Sequence, residues 1–459
     1  MTPSCQARAV PACETLPPRA GMARLGRAMR RHRQAILTLQ WLIVLFYAVV
    51  VALPAVLPLP TEADRILNNL TRFAQFLFWG LWWPFVIVSV MLVGRVWCGV
   101  FCPEGALAEF ASHASLNRPL PRWLKWPGWP TLAFILTTVY GQMTSVYEYP
   151  QPALLILGGS TLAAMGVGLV YGKGKRVWCR HLCPVSGVFA LLARVAPVHF
   201  HVDRDVWDAA NSHALPVQCA PLIDIRRMNS AAACHMCGRC AGQRNAVELA
   251  WRVPGSELWA PSASPASADI WPARLLVFGL LGVALGAFQW SASPWFVAAK
   301  QVAAAWLLDR GYFQVLEAPA HGWLLTHYPE VNDVFTWLDG GLLLAYIAMT
   351  ALVSGGWIFL CLWMAAALMG KTWQRLAMSL IPFAGASVFV GLSLLTTGQL
   401  FAEGIIFPWA DPARMTLLAA GALWSASLAR RLAGWPSALA AGMACALPLW
   451  AWYAQLYVW

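Results

Sequence analysis

Apolar stretches about as long as a bilayer is thick recur along the whole chain, and they limit its fold more than any other feature. They cover roughly 35–59, 74–96, 130–147, 153–172, 272–290, 337–368, 376–398, 413–429 and 434–455. About 20 helical residues cross a hydrocarbon core, so these runs predict about nine transmembrane helices, with 130–147 and 153–172 among the shortest. Only 11% of the residues are charged and 59% are hydrophobic, a balance that an ordinary water-soluble domain cannot bury. Many of the 27 Trp, among them Trp79, Trp83, Trp126, Trp271 and Trp295, flank the runs, where amphipathic rings settle at membrane interfaces. The expected fold is therefore an all-α polytopic membrane protein with the lipid bilayer as its solvent.

The formal charge of +12 serves membrane orientation rather than nucleic acid, because nearly all the basic residues lie beside apolar segments. With a cytoplasmic N-terminus, one side collects Arg95, Arg118, Arg122, Lys125, the basic residues from Lys173 to Arg252, Lys371, Arg375, Arg430 and Arg431. The other side keeps Arg65, Arg72, Lys300, Arg310 and Arg414. This asymmetry follows the positive-inside rule and predicts a cytoplasmic N-terminus; the membrane expected is the bacterial inner membrane, as the resemblance given below implies. Residues 1–34 are poor in apolar residues and rich in Pro and Arg, so a disordered cytoplasmic tail is expected there, with Cys5 and Cys13 incidental.

Four units are expected: the tail 1–34, a four-helix membrane unit 35–197, a cytoplasmic insert and linker 198–269, and a C-terminal membrane unit 270–459 of about five helices. The second unit carries an internal repeat. Arg95-Val96-Trp97-Cys98 is followed by Cys102-Pro103, and Arg176-Val177-Trp178-Cys179 by Cys183-Pro184, each after an apolar hairpin. Repeats of this kind create a site at their interface.

Of the twelve Cys, seven fall in three tight groups on the face assigned as cytoplasmic, where thiols stay reduced and metal ligation is favoured over disulfides. Cys234, Cys237 and Cys240 form a Cys-x2-Cys-x2-Cys run that can wrap a [4Fe-4S] cubane, with a zinc knuckle as the competing reading. Where a further Cys-Pro is usual, the chain reads Ala241-Gly242-Gln243-Arg244-Asn245, so the fourth ligand must come from elsewhere. Cys219 is the nearest thiol, with His235 and His213 as alternatives. Arg226, Arg227 and Arg239 are expected to offset the cluster's negative charge. The insert is thus read as a small ferredoxin-like cluster-binding unit.

In the repeat, the residue before each Pro is disfavoured in helix, so a turn should end each motif, and helices should start at Pro103 and Pro184. Pairing the hairpins would bring Cys98, Cys102, Cys179 and Cys183 together as four soft ligands, suited to a second Fe–S cluster, Cu(I) or Zn. Arg95, Arg176, Arg180 and His181 would favour their thiolates.

The doubled Arg-Val-Trp-Cys-x3-Cys-Pro beside a ferredoxin-like run resembles the membrane polyferredoxins typified by NapH, the C-terminal membrane part of NosR, and CcoG, over roughly residues 35–250. That resemblance implies electron transfer at the inner membrane as an accessory of respiratory or metalloenzyme systems, with quinol as a donor in the first two types. The chain departs from those relatives, which carry two full ferredoxin motifs, in keeping one shortened one, and the resemblance implies no role for residues 270–459.

No His falls inside the apolar runs and no Cys-x-x-Cys-His occurs, so neither a bis-His transmembrane haem nor a c-type haem has its ligands. Mid-span ionisable residues of the kind that mark pumps are nearly absent. Cys361 and Cys445 read as packing residues, and Gln142, Gln289 and Gln399 near span ends as a weak pointer to a quinone or lipid headgroup. Three functions remain: [4Fe-4S] electron transfer with a redox partner protein or the quinone pool, copper or iron reduction during metalloenzyme maturation, and a non-redox scaffold or sensor. No soluble small-molecule substrate is indicated.

Overall fold

The computed structural model describes residues 20–61, 63–210, 217–259, 270–319 and 321–459. Cys5, Cys13 and His213 lie outside them. Among the described residues seven helices are long and apolar enough to cross a membrane: Arg33–Val56, Leu70–Val93, Pro150–Tyr171, Ile270–Ala292, Trp337–Met369, Trp373–Ala402 and Trp435–Tyr457. The other two expected spans are also helices, of different character. Trp129–Met143 has 15 residues; at 1.5 Å per residue it covers roughly 22 Å, less than a hydrocarbon core of about 30 Å. Ala410–Ala433 is long enough at 24 residues, but it begins on an Asp411–Arg414 ion pair at 2.5 Å and ends on Arg430 and Arg431.

A single apolar core ties the two membrane units together. Val86 and Ile87 of the second span and Leu191 and Leu192 of the repeat unit pack with Leu276, Leu281, Ile381 and Phe383 of the C-terminal unit, all of them buried. The spans Ile270–Ala292 and Trp373–Ala402 are the most enclosed.

The insert is closed by a two-stranded antiparallel ribbon, β1 (Val198–Val202) and β2 (Val247–Trp251), with Phe200 opposite Leu249. Alternation along β1 turns Val198, Phe200 and Val202 into a small core shared with Cys234, Met236 and Val247. Three short helices complete the frame: α1 (Ala20–Arg31), α2 (Pro103–His113) and α3 (Pro184–Val195).

Helix α1 corrects the expected tail. Residues 20–31 are helical rather than disordered, the first span begins at Arg33, and residues 1–19 lie outside the described part. Ala23 and Gly26 are buried, Gly26 lies against Leu249, Arg27 pairs with Glu248 at 3.2 Å, and Arg30 Nη1 donates to the Ala241 carbonyl at 2.9 Å. Composition alone made this stretch look unfoldable; its narrow stripe of small and apolar residues becomes stable only because β2 offers it a surface.

Candidate metal centre

The two halves of the repeat fold alike. After the second span, Trp97–Phe101 makes one wide helical turn, Cys102 is extended (φ −71°, ψ 115°) and α2 starts at Pro103. After Pro150–Tyr171, Val177–His181 makes a helical turn, Cys183 is extended (φ −57°, ψ 124°) and α3 starts at Pro184. Proline pushes the cysteine before it out of the helical region and is itself preset for a first helical position. Each motif therefore ends on a cysteine at the N-cap position of a new helix, where Cys102 Sγ accepts the Gly105 N–H at 3.3 Å and Cys183 makes no side-chain cap bond.

The arginines that open the motifs reach across to the other copy. Arg95 and Arg176 are 3% and 1% exposed. Arg95 Nη2 donates to Ser186 Oγ at 2.9 Å, and Ser186 in turn donates to the Cys179 carbonyl at 2.7 Å. Arg176 Nη1 donates to the Cys98 carbonyl directly. Ser186 and Gly105 occupy equivalent repeat positions. A Cβ at Gly105 would stand 3.0 Å from Arg176 Nη1, so the missing side chain is what lets that guanidinium reach its carbonyl without an intermediary. Arg176 Nε also meets Glu109 Oε2 at 2.9 Å, and Arg239 of the insert meets the same carboxylate at 2.6 Å.

Cys98, Cys179 and Cys183 are buried and Cys102 is partly buried. Burial pushes the Cys179 thiol up to about 12, with Cys98 among the neighbouring charges. It raises Cys102 and Cys183 well above the ordinary thiol range, with Cys179 and Cys98 adding to the rise at Cys102, and Glu104, Cys179, Cys102 and Cys98 adding to it at Cys183. The four sulfurs of the repeat thus lie within electrostatic reach of one another. Cys219, Cys234, Cys237 and Cys240 do the same in the insert. Burial takes Cys234 up to about 12, with Cys237 and Cys219 contributing, and raises Cys240, with Cys234, Cys237 and Cys219 contributing.

The two sets adjoin at Gly99. A Cβ there would fall 2.0 Å from the His235 carbonyl and 2.9 Å from the Cys237 nitrogen, so only glycine lets the first motif lie against the ferredoxin-like run. Gln40 of the first span donates to the Gly99 carbonyl at 2.9 Å. Arg95 Nη1 donates to the Ala232 carbonyl at 2.7 Å, fastening the insert from the other side. His235 is 2% exposed beside the same junction.

Of the expected cations, Arg226 and Arg227 are engaged elsewhere, with Asp208 and Asp224 at 3.0 and 3.6 Å in exposed pairs. Arg95 and Arg176 favour the Cys179 thiolate, and Arg239, with Arg180, favours that of Cys219, against the effect of burial. Glu109, which holds Arg176 and Arg239 together, was not singled out from sequence. The signal was present: buried repeated arginines need a counter-charge, and Glu104 and Glu109 are the only carboxylates between residues 95 and 147.

Among the described residues no three His, Cys, Asp or Glu side chains converge closely enough to ligate one metal ion. Thiolates on a single zinc or copper sit about 2.3 Å from it and so crowd together, whereas a cubane spreads its thiolates over separate irons. Two sets of four thiols, with arginine beside each and no carboxylate among the four, have the donor chemistry of iron–sulfur ligation. Of the glutamines, Gln142 accepts from Trp290 Nε1 at 2.8 Å.

Residues 75–127 and 157–202 match the family model of a 4Fe-4S binding domain. The two matched stretches carry the two copies of the repeat. An alignment 140 positions long, covering 26% of this chain, is 26% identical to the methylamine utilization ferredoxin-type protein MauN of Paracoccus denitrificans. It covers 46% of that protein, so the chain spans under half the length of the curated relative it matches. No solved structure matches. The two similarities support a polyferredoxin-like family, an iron–sulfur cluster and an iron–sulfur electron-transfer protein of the membrane.

Proposed function

We propose that the chain is a [4Fe-4S] electron-transfer protein of the bacterial inner membrane with two clusters on its cytoplasmic face, acting as an accessory of a respiratory or metalloenzyme system. Cys219, Cys234, Cys237 and Cys240 hold one cluster, and Cys98, Cys102, Cys179 and Cys183 the other. The observation that carries this reading is the Gly99 junction, which puts backbone of the two cysteine sets in contact. When bound, the clusters supply one-electron redox chemistry. The protein contributes the thiols, excludes water from them, and compensates their charge with Arg95 and Arg176.

A second observation favours the quinone pool at the membrane end of the path. A cavity of about 220 Å³ between the spans is lined by Trp79, Phe134, Phe189 and Phe288 and reaches Glu104 and Cys183. Its apolar, aromatic wall suits the ring and first isoprene of a quinone, and the polar groups at one end suit its oxygens. Glu104 accepts a hydrogen bond from Ser160 there, and burial raises its carboxyl above the usual range.

Anaerobic purification with iron, sulfide and copper quantification tests the proposal. About eight iron and eight sulfide per chain are expected, four of each per cubane. Stoichiometric copper without sulfide moves the protein to metal reduction or handling; neither metal leaves a scaffold.

A further inference from the structure

A groove of about 470 Å³ opens beside Cys237, and its charged walls are Arg30, Arg33 and Arg239 against the single carboxylate of Glu109. That carboxylate is already engaged by Arg176 and Arg239. The rim continues the basic face of α1, where Arg24, Arg27, Arg30 and Arg31, together with Arg33, are exposed within ten residues. Helix α1 rests on the insert, through Arg27 to Glu248 and Arg30 to the Ala241 carbonyl, so its charge is presented around the ferredoxin-like run. Cys234 is buried, whereas Cys237 is only partly buried and forms part of the groove floor.

From this placement we infer that the groove is the docking point of an acidic one-electron carrier protein, with carboxylates of the carrier entering between Arg30 and Arg33. The inference rests on the insert holding a cluster. A small anion would need a few of these arginines; a stripe of five beside the groove matches an extended acidic surface and would steer its approach over distances near a Debye length. One electron passes between the carrier's centre and the insert cluster through the Cys237 side. The carrier is oxidised by one electron as the cluster is reduced by one, or the reverse, and no bond or proton changes hands.

The test uses the full-length protein in detergent, reduced by an acidic plant-type [2Fe-2S] ferredoxin as the probe and, separately, by a small neutral mediator. The second-order rate with ferredoxin should fall at least about tenfold as salt rises from about 0.01 to about 0.5 M, while the mediator rate stays flat. At low salt, Arg33→Glu should slow the ferredoxin reaction about tenfold with unchanged iron content, and Arg30→Glu/Arg33→Glu should slow it further. Lys371→Glu, outside the groove, should leave it unchanged. If the double variant loses iron, because Arg30 also holds Ala241, the wild-type salt profile and Arg33→Glu decide. A ferredoxin rate indifferent to both salt and Arg33→Glu, in protein that carries its iron, overturns the docking inference alone. Protein devoid of iron overturns the cluster reading and this inference with it.

Discussion

The two cysteine sets are built by opposite means. The insert set comes from sequence neighbours: Cys234, Cys237 and Cys240 lie on one loop, so their proximity is a local property, and the ribbon β1–β2 with α1 only covers them. The repeat set comes from two motifs some eighty residues apart, which Arg95, through Ser186, and Arg176, directly, join across the copies. A local site can be read from spacing. A site assembled at distance depends on buried charge that spacing does not reveal, and it should fail in different ways when perturbed.

The largest effect is expected from breaking either set outright. Cys179→Ser should remove about four of about eight irons while leaving the insert cluster's EPR signal, and Cys234→Ser should do the converse. If either substitution removed all the iron, the sets would form one cooperative unit rather than two.

Gly99→Ala comes next, because its methyl must displace the His235 carbonyl from 2.0 Å. Both signals should broaden and limited proteolysis of the insert should accelerate. An unchanged protein would mean that the junction is dispensable.

Arg176→Gln sharpens the comparison further. Removing one partner of a buried ion pair costs about 3–5 kcal/mol, and the low end is expected here because Arg239 still engages Glu109. The apparent Tm should fall, and iron should be lost first from the repeat set. Acid should reproduce part of this. Burial opposes ionisation of Glu109, but Arg176 and Arg239 outweigh it and hold the carboxyl below its ordinary value of 4.5. Its stabilisation is therefore fully present above the ordinary carboxylate range and fades as pH falls through the lower folded value. The acid-side slope of Tm should be shallower in Arg176→Gln than in the wild type.

The smallest effect separates Cys219 from a packing cysteine. Cys219→Ser should lower the insert cluster's content or alter its EPR signal, whereas Cys361→Ser, buried among apolar side chains, should do neither. Equal behaviour of the two would take Cys219 out of the site.

How much of this was legible in sequence follows the same division. The apolar runs marked the spans, and the Cys-Pro steps marked the starts of α2 and α3, because proline acts on its own neighbour. The length of Trp129–Met143 was less legible, since apolar composition continues past the residue where the chain turns at Thr144. Helix α1 is not legible in composition because its stability is tertiary: Met22, Gly26 and Met29 recur at helical spacing, but the four arginines within it mask that stripe. The counter-ion role of Glu109 and the bridge through Ser186 were not legible, since each needs the two copies of the repeat face to face.

The most direct measurement is EPR of anaerobically purified, stepwise-reduced protein, with iron and sulfide counted on the same sample, for wild type and Cys179→Ser. Two cubane signals and about eight irons are expected in the wild type, one signal and about four irons in the variant. Zinc or copper without acid-labile sulfide, or a single cluster that Cys179→Ser leaves untouched, would contradict the two-cluster reading.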